Sequence, residues 1–205
     1  MSDASNERML RIRRTLAKTP VGKTQFLLML ADVSFGSPDG GGKGSFDKDS
    51  RSIIIDPDLS DAEAVQELGY QVMDAFVETS RDQNPQFKQL EQMLPVGDLL
   101  KQVGEKLNRD SMNQLKSENV PGFDTLVDSR PAAADNPMLG PAIGMVSQVL
   151  SQAMEQGFQM GMQDEGFRLE VESVLGDDWD NDNTPPTSGG DAPKDEDIDI
   201  PDFKF

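Results

Sequence analysis

The fold of this chain is decided by residues 52–70, which read Ser52-Ile-Ile-Ile-Asp-Pro-Asp-Leu-Ser-Asp-Ala-Glu-Ala-Val-Gln-Glu-Leu-Gly-Tyr70. The aliphatic run at its start ends at a proline and predicts a buried strand. Ser60, followed three residues later by Glu63, forms a capping box, so a helix is predicted to begin directly after the strand. Apolar residues then recur at three- and four-residue spacing as far as Phe76, which is typical of a helix with one buried face.

The flanking sequence extends this prediction to an α+β fold that is mainly helical with a small β-hairpin or sheet. Residues 1–34 are predicted as a helix interrupted at Pro20. The glycine-rich residues 36–58 predict a loop and a hairpin whose second arm is the aliphatic strand. Amphipathic helices are predicted over 86–118 and over 138–175, the latter as one long helix or a helix pair.

The segment 138–175 also carries a methionine-rich stripe. Its members are Met145, Val149, Ala153, Met154, Phe158 and Met162. Methionine fills irregular gaps in protein cores, so the stripe predicts a core-facing row of side chains. A groove that receives a partner protein is the alternative interpretation of the same pattern.

The composition changes at residue 177. Residues 177–205 contain ten acidic residues and two lysines, with few apolar side chains. Such a segment does not bury enough apolar surface to offset the entropy of ordering the chain. The sequence therefore predicts a folded domain over residues 1–176 and a disordered acidic tail over residues 177–205.

The chain contains no cysteine and no histidine. Disulfides, thiolate chemistry and imidazole ligands or bases are therefore absent. No metal and no cofactor is expected.

Charge and hydropathy set the expected location and partners. The formal net charge of −18 argues against general binding to a phosphate backbone. Residues 8–23 nevertheless hold six of the 19 cationic residues, as a solvated helix face or as a partner contact. No apolar run reaches the length of a membrane span, and no signal peptide is recognisable. A cytoplasmic protein without membrane association is predicted, although export by a system that reads other signals is compatible with the sequence.

The order of strand, turn and capped helix, followed by Gln66-Glu67-Leu68-Gly69-Tyr70, resembles the core of HExxH metallopeptidases. It is most similar to bacterial effector-type zincins that read HELGH at these positions. In such families two histidines one helical turn apart bind zinc, and the glutamate polarises the bound water. Here only Glu67 is kept. Residues 164–176 are similar to the helix that supplies the third, acidic ligand, for which Glu165 and Glu172 are the candidates.

The resemblance implies a degenerate, non-catalytic member of that class, a pseudoenzyme. Gln66 and Tyr70 offer an amide oxygen and a phenol, both of which are poor replacements for imidazole on zinc. The former active site is expected to comprise Gln66, Glu67, Tyr70, Glu165 and Glu172, with its cleft either filled or reused for binding a protein partner. The alternative function is an acidic adaptor, whose helical domain docks or oligomerises while its tail recruits a partner or mimics nucleic acid. The sequence leaves the oligomeric state open.

The tail ends in apolar residues spaced among acids. The predicted partner-binding anchors are Ile198, Ile200, Phe203 and Phe205. This ending is similar in character to the acidic C-terminal tip of bacterial single-stranded-DNA-binding proteins, which docks into partner pockets. A solubilising extension is the alternative.

Overall fold

The computed structural model describes residues 3–83, 96–130 and 140–176. Within these ranges the mainly helical α+β fold is confirmed. The elements, in chain order, are α1 (Asp3–Ala17), α2 (Pro20–Leu27), β1 (Asp32–Phe35), a 3-10 turn (Asp39–Gly41), β2 (Gly44–Asp47), β3 (Ser52–Ile55), α3 (Asp61–Gln83), α4 (Val96–Ser117), α5 (Gly140–Gly161) and α6 (Glu165–Leu175).

The small sheet has three strands in the order β1-β3-β2. The predicted hairpin is confirmed, because β2 pairs antiparallel with β3 and Phe46 lies opposite Ile53. The strand β1, which pairs parallel with β3, was not predicted, and the expectation of helix as far as residue 34 was wrong there. The apolar run that ends α2 does not by itself distinguish helix from strand. Met29, at φ 47°, ends the helical path and redirects the chain into β1.

Helix α3 occupies the centre of the molecule. It packs on β2 and β3 on one side and on α4 on the other, and α1 and α2 also contact it. The alternation along β3 buries Ile53 and Ile55 completely, as expected for a strand covered by a helix. Val65, Leu68 and Val72 of α3 join them in the main core. A second cluster, built around Phe26 and Phe158, joins α2, α5 and α6.

The methionine-rich stripe divides into two rows on α5. Met154 and Phe158 are 2% and 0% exposed, whereas Met145 and Val149 are 70% and 64% exposed. The prediction that the whole stripe fills a core was therefore wrong for the first row. Positions 145, 149 and 153 follow one ridge of the helix, and position 154 begins a second ridge about 100° around the axis. Only the second ridge faces the domain.

Three helices are long enough to cross a membrane, with 23 residues in α3 and 22 in each of α4 and α5. A span requires about 20 predominantly apolar residues in succession. Among the residues that the structure describes, no helix combines such length with sufficient apolar character. Even α5, which carries only one charged residue, interrupts its apolar positions with glutamine and serine.

Candidate functional site

The start of α3 is fixed by the predicted capping box, which the structure confirms. The Ser60 amide donates to Glu63 Oε2 at 3.0 Å, and the Glu63 amide donates to Ser60 Oγ at 3.3 Å. Arg8 of α1 reinforces this end, because its Nε donates to Asp61 Oδ1 at 2.7 Å. The cap thereby sets the rotational position of the residues that follow, including the segment from Gln66 to Tyr70.

The three residues of the proposed former active site on α3 are buried. Gln66 is 3% exposed, Glu67 5% and Tyr70 1%. Buried polar groups require partners, since an unpaired one costs free energy comparable to a lost hydrogen bond. The partners come from α4, from α3 itself and from the segment 128–130, which follows α4 in the chain.

Gln66 links α3 to two other parts of the chain. Its side-chain Oε1 accepts a hydrogen bond from the Ser129 amide at 3.2 Å. Its backbone carbonyl accepts one from Asn108 Nδ2 of α4 at 2.9 Å. The amide oxygen of Gln66 is therefore committed to a backbone N–H of the chain.

Tyr70 is held by Asp128 and Arg130. The phenol donates a short hydrogen bond to Asp128 Oδ1, and the Arg130 guanidinium lies 4.5 Å from the centroid of the Tyr70 ring. Asp128 Oδ1 also accepts from the Arg130 amide at 2.9 Å, which fixes the turn of the segment. Burial, reinforced by the hydrogen bond to Asp128, raises the pKa of the Tyr70 phenol well above its ordinary value.

Arg130 lies between two carboxylates of α3. Its Nη1 donates to Asp74 Oδ2 at 2.9 Å, and its Nη2 lies 3.6 Å from Glu67 Oε1. The same Glu67 oxygen accepts from Gln71 Nε2 at 2.9 Å. Burial alone would lower the pKa of Arg130, but Asp74 and Glu67 outweigh it and raise that pKa. A permanent positive charge thus covers this face of α3.

Strand β2 covers Glu67 from another direction. A Cβ atom at Gly44, the first residue of β2, would lie 2.8 Å from Glu67 Cγ and 3.1 Å from Gln71 Cγ. Only a residue without a side chain permits this approach. Glu67 is therefore enclosed between β2 and the Arg130 guanidinium.

This arrangement does not fit the zinc ion that the zincin resemblance implies. Gln66 and Tyr70 replace imidazoles with weak oxygen donors, and both are engaged in hydrogen bonds within the chain. The charge next to Glu67 is the cation of Arg130, which repels a second cation. In the described ranges, no group of three or more acidic side chains is placed to hold a metal ion.

The structure does not bring Glu165 and Glu172 to the α3 site. Helix α6 packs against α1 and α2. Glu165 is exposed, and Glu172 forms an ion pair with Arg168 of the same helix at 3.5 Å. The acidic side chain that contacts Tyr70 is instead Asp128, from the segment after α4.

Sequence reasoning missed Asp128 and Arg130, which dominate the site. The residues flanking them in sequence show no periodicity and no motif. The available signal was indirect: a buried face with Gln66, Glu67 and Tyr70 requires polar partners from elsewhere. The tail anchors Ile198, Ile200, Phe203 and Phe205, and the boundary at residue 177, lie outside the described residues and stay predictions.

A titration tests the burial of Tyr70, which is the single tyrosine of the chain. The phenol of an unfolded tyrosine has a pKa of about 10. Because the folded pKa is raised, the stability that this group contributes is fully present below about pH 10 and is lost as the pH rises beyond it. We expect phenolate absorbance to appear only together with loss of helical circular dichroism. Asp128→Asn should lower the onset, whereas phenolate at about pH 10 with helicity intact would contradict the structure.

Comparisons with known proteins assign no relationship to this chain. No family model matches the sequence, and searches of curated proteins and of solved structures returned no match.

Proposed function

We propose that this chain is a non-catalytic, zincin-like pseudoenzyme that acts by binding another protein. The observation that supports the proposal is the position of Arg130, which ion-pairs with Asp74 and lies against Glu67 and the Tyr70 ring. In an active HExxH enzyme the metal and its water lie next to the glutamate of the motif. Here the Arg130 guanidinium lies next to Glu67 instead, and this supports a helix face that serves packing, with binding by other surfaces.

The outer face of α5 is one surface suited to a protein partner. It exposes Met145, Val149 and Met160, the last at 71%. The only charged residue of α5 is Glu155, which bonds to Lys23 at 2.7 Å. Depletion of charge and enrichment in methionine are typical of the centre of protein interfaces. In a chain with net charge −18, this face offers a partner an uncharged contact.

The tail supplies the second candidate surface, with acids around Ile198, Ile200, Phe203 and Phe205. Recruitment through the tail corresponds to the alternative function, an acidic adaptor. The two surfaces suit different partners. The α5 face suits an apolar patch, whereas the tail suits an apolar pocket surrounded by basic residues.

Capture from the native host, read out by cross-linking and mass spectrometry, distinguishes these surfaces. Val149→Glu places a charge on the α5 face, and Phe203→Ala with Phe205→Ala removes the tail anchors. Leu169→Glu, at an exposed apolar residue of α6, is the matched control. We expect one partner to be lost in one of the first two variants and kept in the control. Capture that is the same in all variants would contradict the proposal.

A peptidase assay tests the non-catalytic part of the proposal. The chain and its Arg130→Ala variant should both leave peptides uncleaved, because removing the arginine restores no imidazole. Cleavage by either protein that is lost on Glu67→Gln would overturn the proposal.

The zincin comparison has a separate geometric test. The sequence predicts that Gln66→His with Tyr70→His restores zinc binding, provided that an acid from the Glu165–Glu172 helix faces the site. The acidic side chain that bonds to Tyr70 is Asp128, so Asp128 is the candidate third ligand. In an Arg130→Met background, which removes the competing cation, we expect the double-histidine variant to bind zinc.

Two further variants test whether the third zinc ligand is Asp128 or an acid of the Glu165–Glu172 helix. Asp128→Asn should weaken zinc binding at least about tenfold, and Glu172→Gln should leave it unchanged. Isothermal calorimetry measures both affinities. If the folded variant binds no zinc at all, the likeness to HExxH proteins has no geometric basis.

A further inference from the structure

We propose that residues 177–182 of the chain dock on a cationic face formed by Arg11 and Arg14 of α1 and by Lys18, which follows α1 directly. This face is an interaction surface for an acidic segment, and its resident occupant is the start of the chain's own acidic tail. The inference does not depend on the function proposed for the α3 site.

The structure divides the six cations of residues 8–23 into two groups. Three are used internally: Arg8 bonds to Asp61, Arg13 to Gln25 Oε1 at 2.8 Å, and Lys23 to Glu155. The other three, Arg11, Arg14 and Lys18, are exposed.

The exposed cations form one continuous face. Arg11 and Arg14, three residues apart, lie on the same side of α1, and Lys18 lies in the turn directly after the helix. Arg11 contacts Asp61 at 3.3 Å but keeps 64% of its side chain exposed. In the ranges that the structure describes, neither Arg14 nor Lys18 forms an ion pair with an acidic side chain. The face therefore carries positive charge that the described part of the chain leaves largely uncompensated.

The chain leaves the described structure directly beside this face. Arg14 Nε donates to the Val174 carbonyl at 2.7 Å, in the last turn of α6. Gly176, at φ +86°, then turns the chain out of the helix, and a Cβ placed on it would lie 3.8 Å from Arg14 Nη2. The next residue is Asp177. The tail therefore begins next to Arg14, the central cation of the face.

The segment that follows is complementary in charge and in length. It reads Asp177-Asp178-Trp179-Asp180-Asn181-Asp182. An extended chain covers about 3.3–3.6 Å per residue, so six residues reach about 20 Å. Arg11 and Arg14 are three residues apart on α1, which corresponds to about 4.5 Å along its axis, and Lys18 lies four residues beyond Arg14. From its tether beside Arg14 the segment is therefore long enough to reach either end of the face.

The tether makes these contacts favourable. A single exposed ion pair contributes little, because water and salt screen it and ordering two side chains costs entropy. A covalent connection replaces the association step by an intramolecular one, with an effective concentration in the millimolar range. Several carboxylates then meet three cations at once. Trp179 adds an indole ring, which is the strongest aromatic partner for a guanidinium.

Carbodiimide cross-linking of the full chain tests the contact. The reagent joins Lys18 Nζ to a carboxylate it touches as an amide and takes up the water that is lost. In the monomeric fraction we expect a peptide that joins Lys18 to one of Asp177, Asp178, Asp180 or Asp182. About 1 M salt, where the Debye length is about 3 Å, should abolish this product. The Lys106–Asp110 pair, in contact at 2.5 Å, is the internal positive control.

Two tail variants make the test specific. The first variant combines Asp177→Asn, Asp178→Asn, Asp180→Asn and Asp182→Asn. It removes the docking charges without altering the folded domain. The matched control places neutral amides at Asp195, Glu196 and Asp197, which removes a similar charge farther along the tail. We expect protection of Trp179, the single tryptophan, from acrylamide quenching to be lost in the first variant and in Arg14→Gln, and kept in the control.

Three outcomes would overturn the proposal. One is the absence of a Lys18 product while the Lys106–Asp110 product forms. Another is a Lys18 product shared equally with residues 195–197, which would show a diffuse charge effect. Quenching of Trp179 that is the same in all variants also contradicts docking at this face.

Discussion

Alanine at position 22 is expected to destabilise the fold by at least about 3 kcal/mol, the upper part of the range for overpacked sites. A Cβ at Gly22 would lie 1.9 Å from the Leu16 carbonyl oxygen and 2.5 Å from the Ala17 nitrogen. These are backbone atoms of α1, so no side-chain rotation relieves the clash. The gain in helix propensity from glycine to alanine, about 1 kcal/mol, offsets only part of this cost.

The short distances at Gly22 arise where α1 and α2 meet. Thr19 Oγ1 accepts from the Gly22 amide at 3.2 Å and donates to the Leu16 carbonyl at 2.8 Å, which caps α2 and closes the turn. Gly22→Ala must open this junction or break the cap. Urea denaturation followed by circular dichroism measures the change in the free energy of unfolding.

Gly144→Ala in α5 is the matched control for this substitution. Nothing lies within 4 Å of a Cβ at that position, although it is in a helix like Gly22. Here we expect stabilisation of about 0.5–1 kcal/mol, because only the propensity changes. Equal effects at the two positions would mean that α1 and α2 do not approach each other as described.

Gly69→Ala should cost about 2 kcal/mol and report directly on the α3 site. A Cβ at Gly69 would lie 2.0 Å from Asn108 Oδ1 and 2.8 Å from its Cγ. Asn108 is fully buried and is held by its bond to the Gln66 carbonyl. It therefore has no free space to rotate into, and α4 must move away from α3.

A double-mutant cycle with Asn108→Ala separates this clash from a general loss of stability. Asn108→Ala removes the group that the new methyl meets, so the double variant should be more stable than the sum of the single effects predicts. We expect a coupling of about 1–2 kcal/mol. If the changes in the free energy of unfolding were additive, Gly69 and Asn108 would not be in contact. The same cycle tests the α3–α4 contact without any assay of function.

The sequence predicted the local part of this structure well. The capping box at Ser60, the aliphatic strand before Pro57 and the interruption of the first helix at Pro20 all depend on neighbouring residues. Each is observed. Local signals of this kind determine where an element begins and what type it is.

The parts that sequence reasoning missed depend on long-range contacts. Arg130 reaches Asp74 across 56 positions, and β1 is a strand only because β3 lies beside it. No periodicity encodes such pairs. Within α5 the pattern also failed to tell Met145 from Met154, because adjacent ridges of a helix differ only by rotation about its axis. The candidate site could thus be located on α3 but its closure could not be predicted.

The separation in sequence between Tyr70 and the residues that cover it has a consequence for biosynthesis. When α3 has left the ribosome, Asp128 and Arg130 are still untranslated. At about 5–20 residues per second, the 60 residues that separate Tyr70 from Arg130 take roughly 3–12 s to make. For an interval of this length the side chains of Gln66 and Tyr70 lack their partners at residues 128–130, and completion of this part of the core waits for the segment that follows α4.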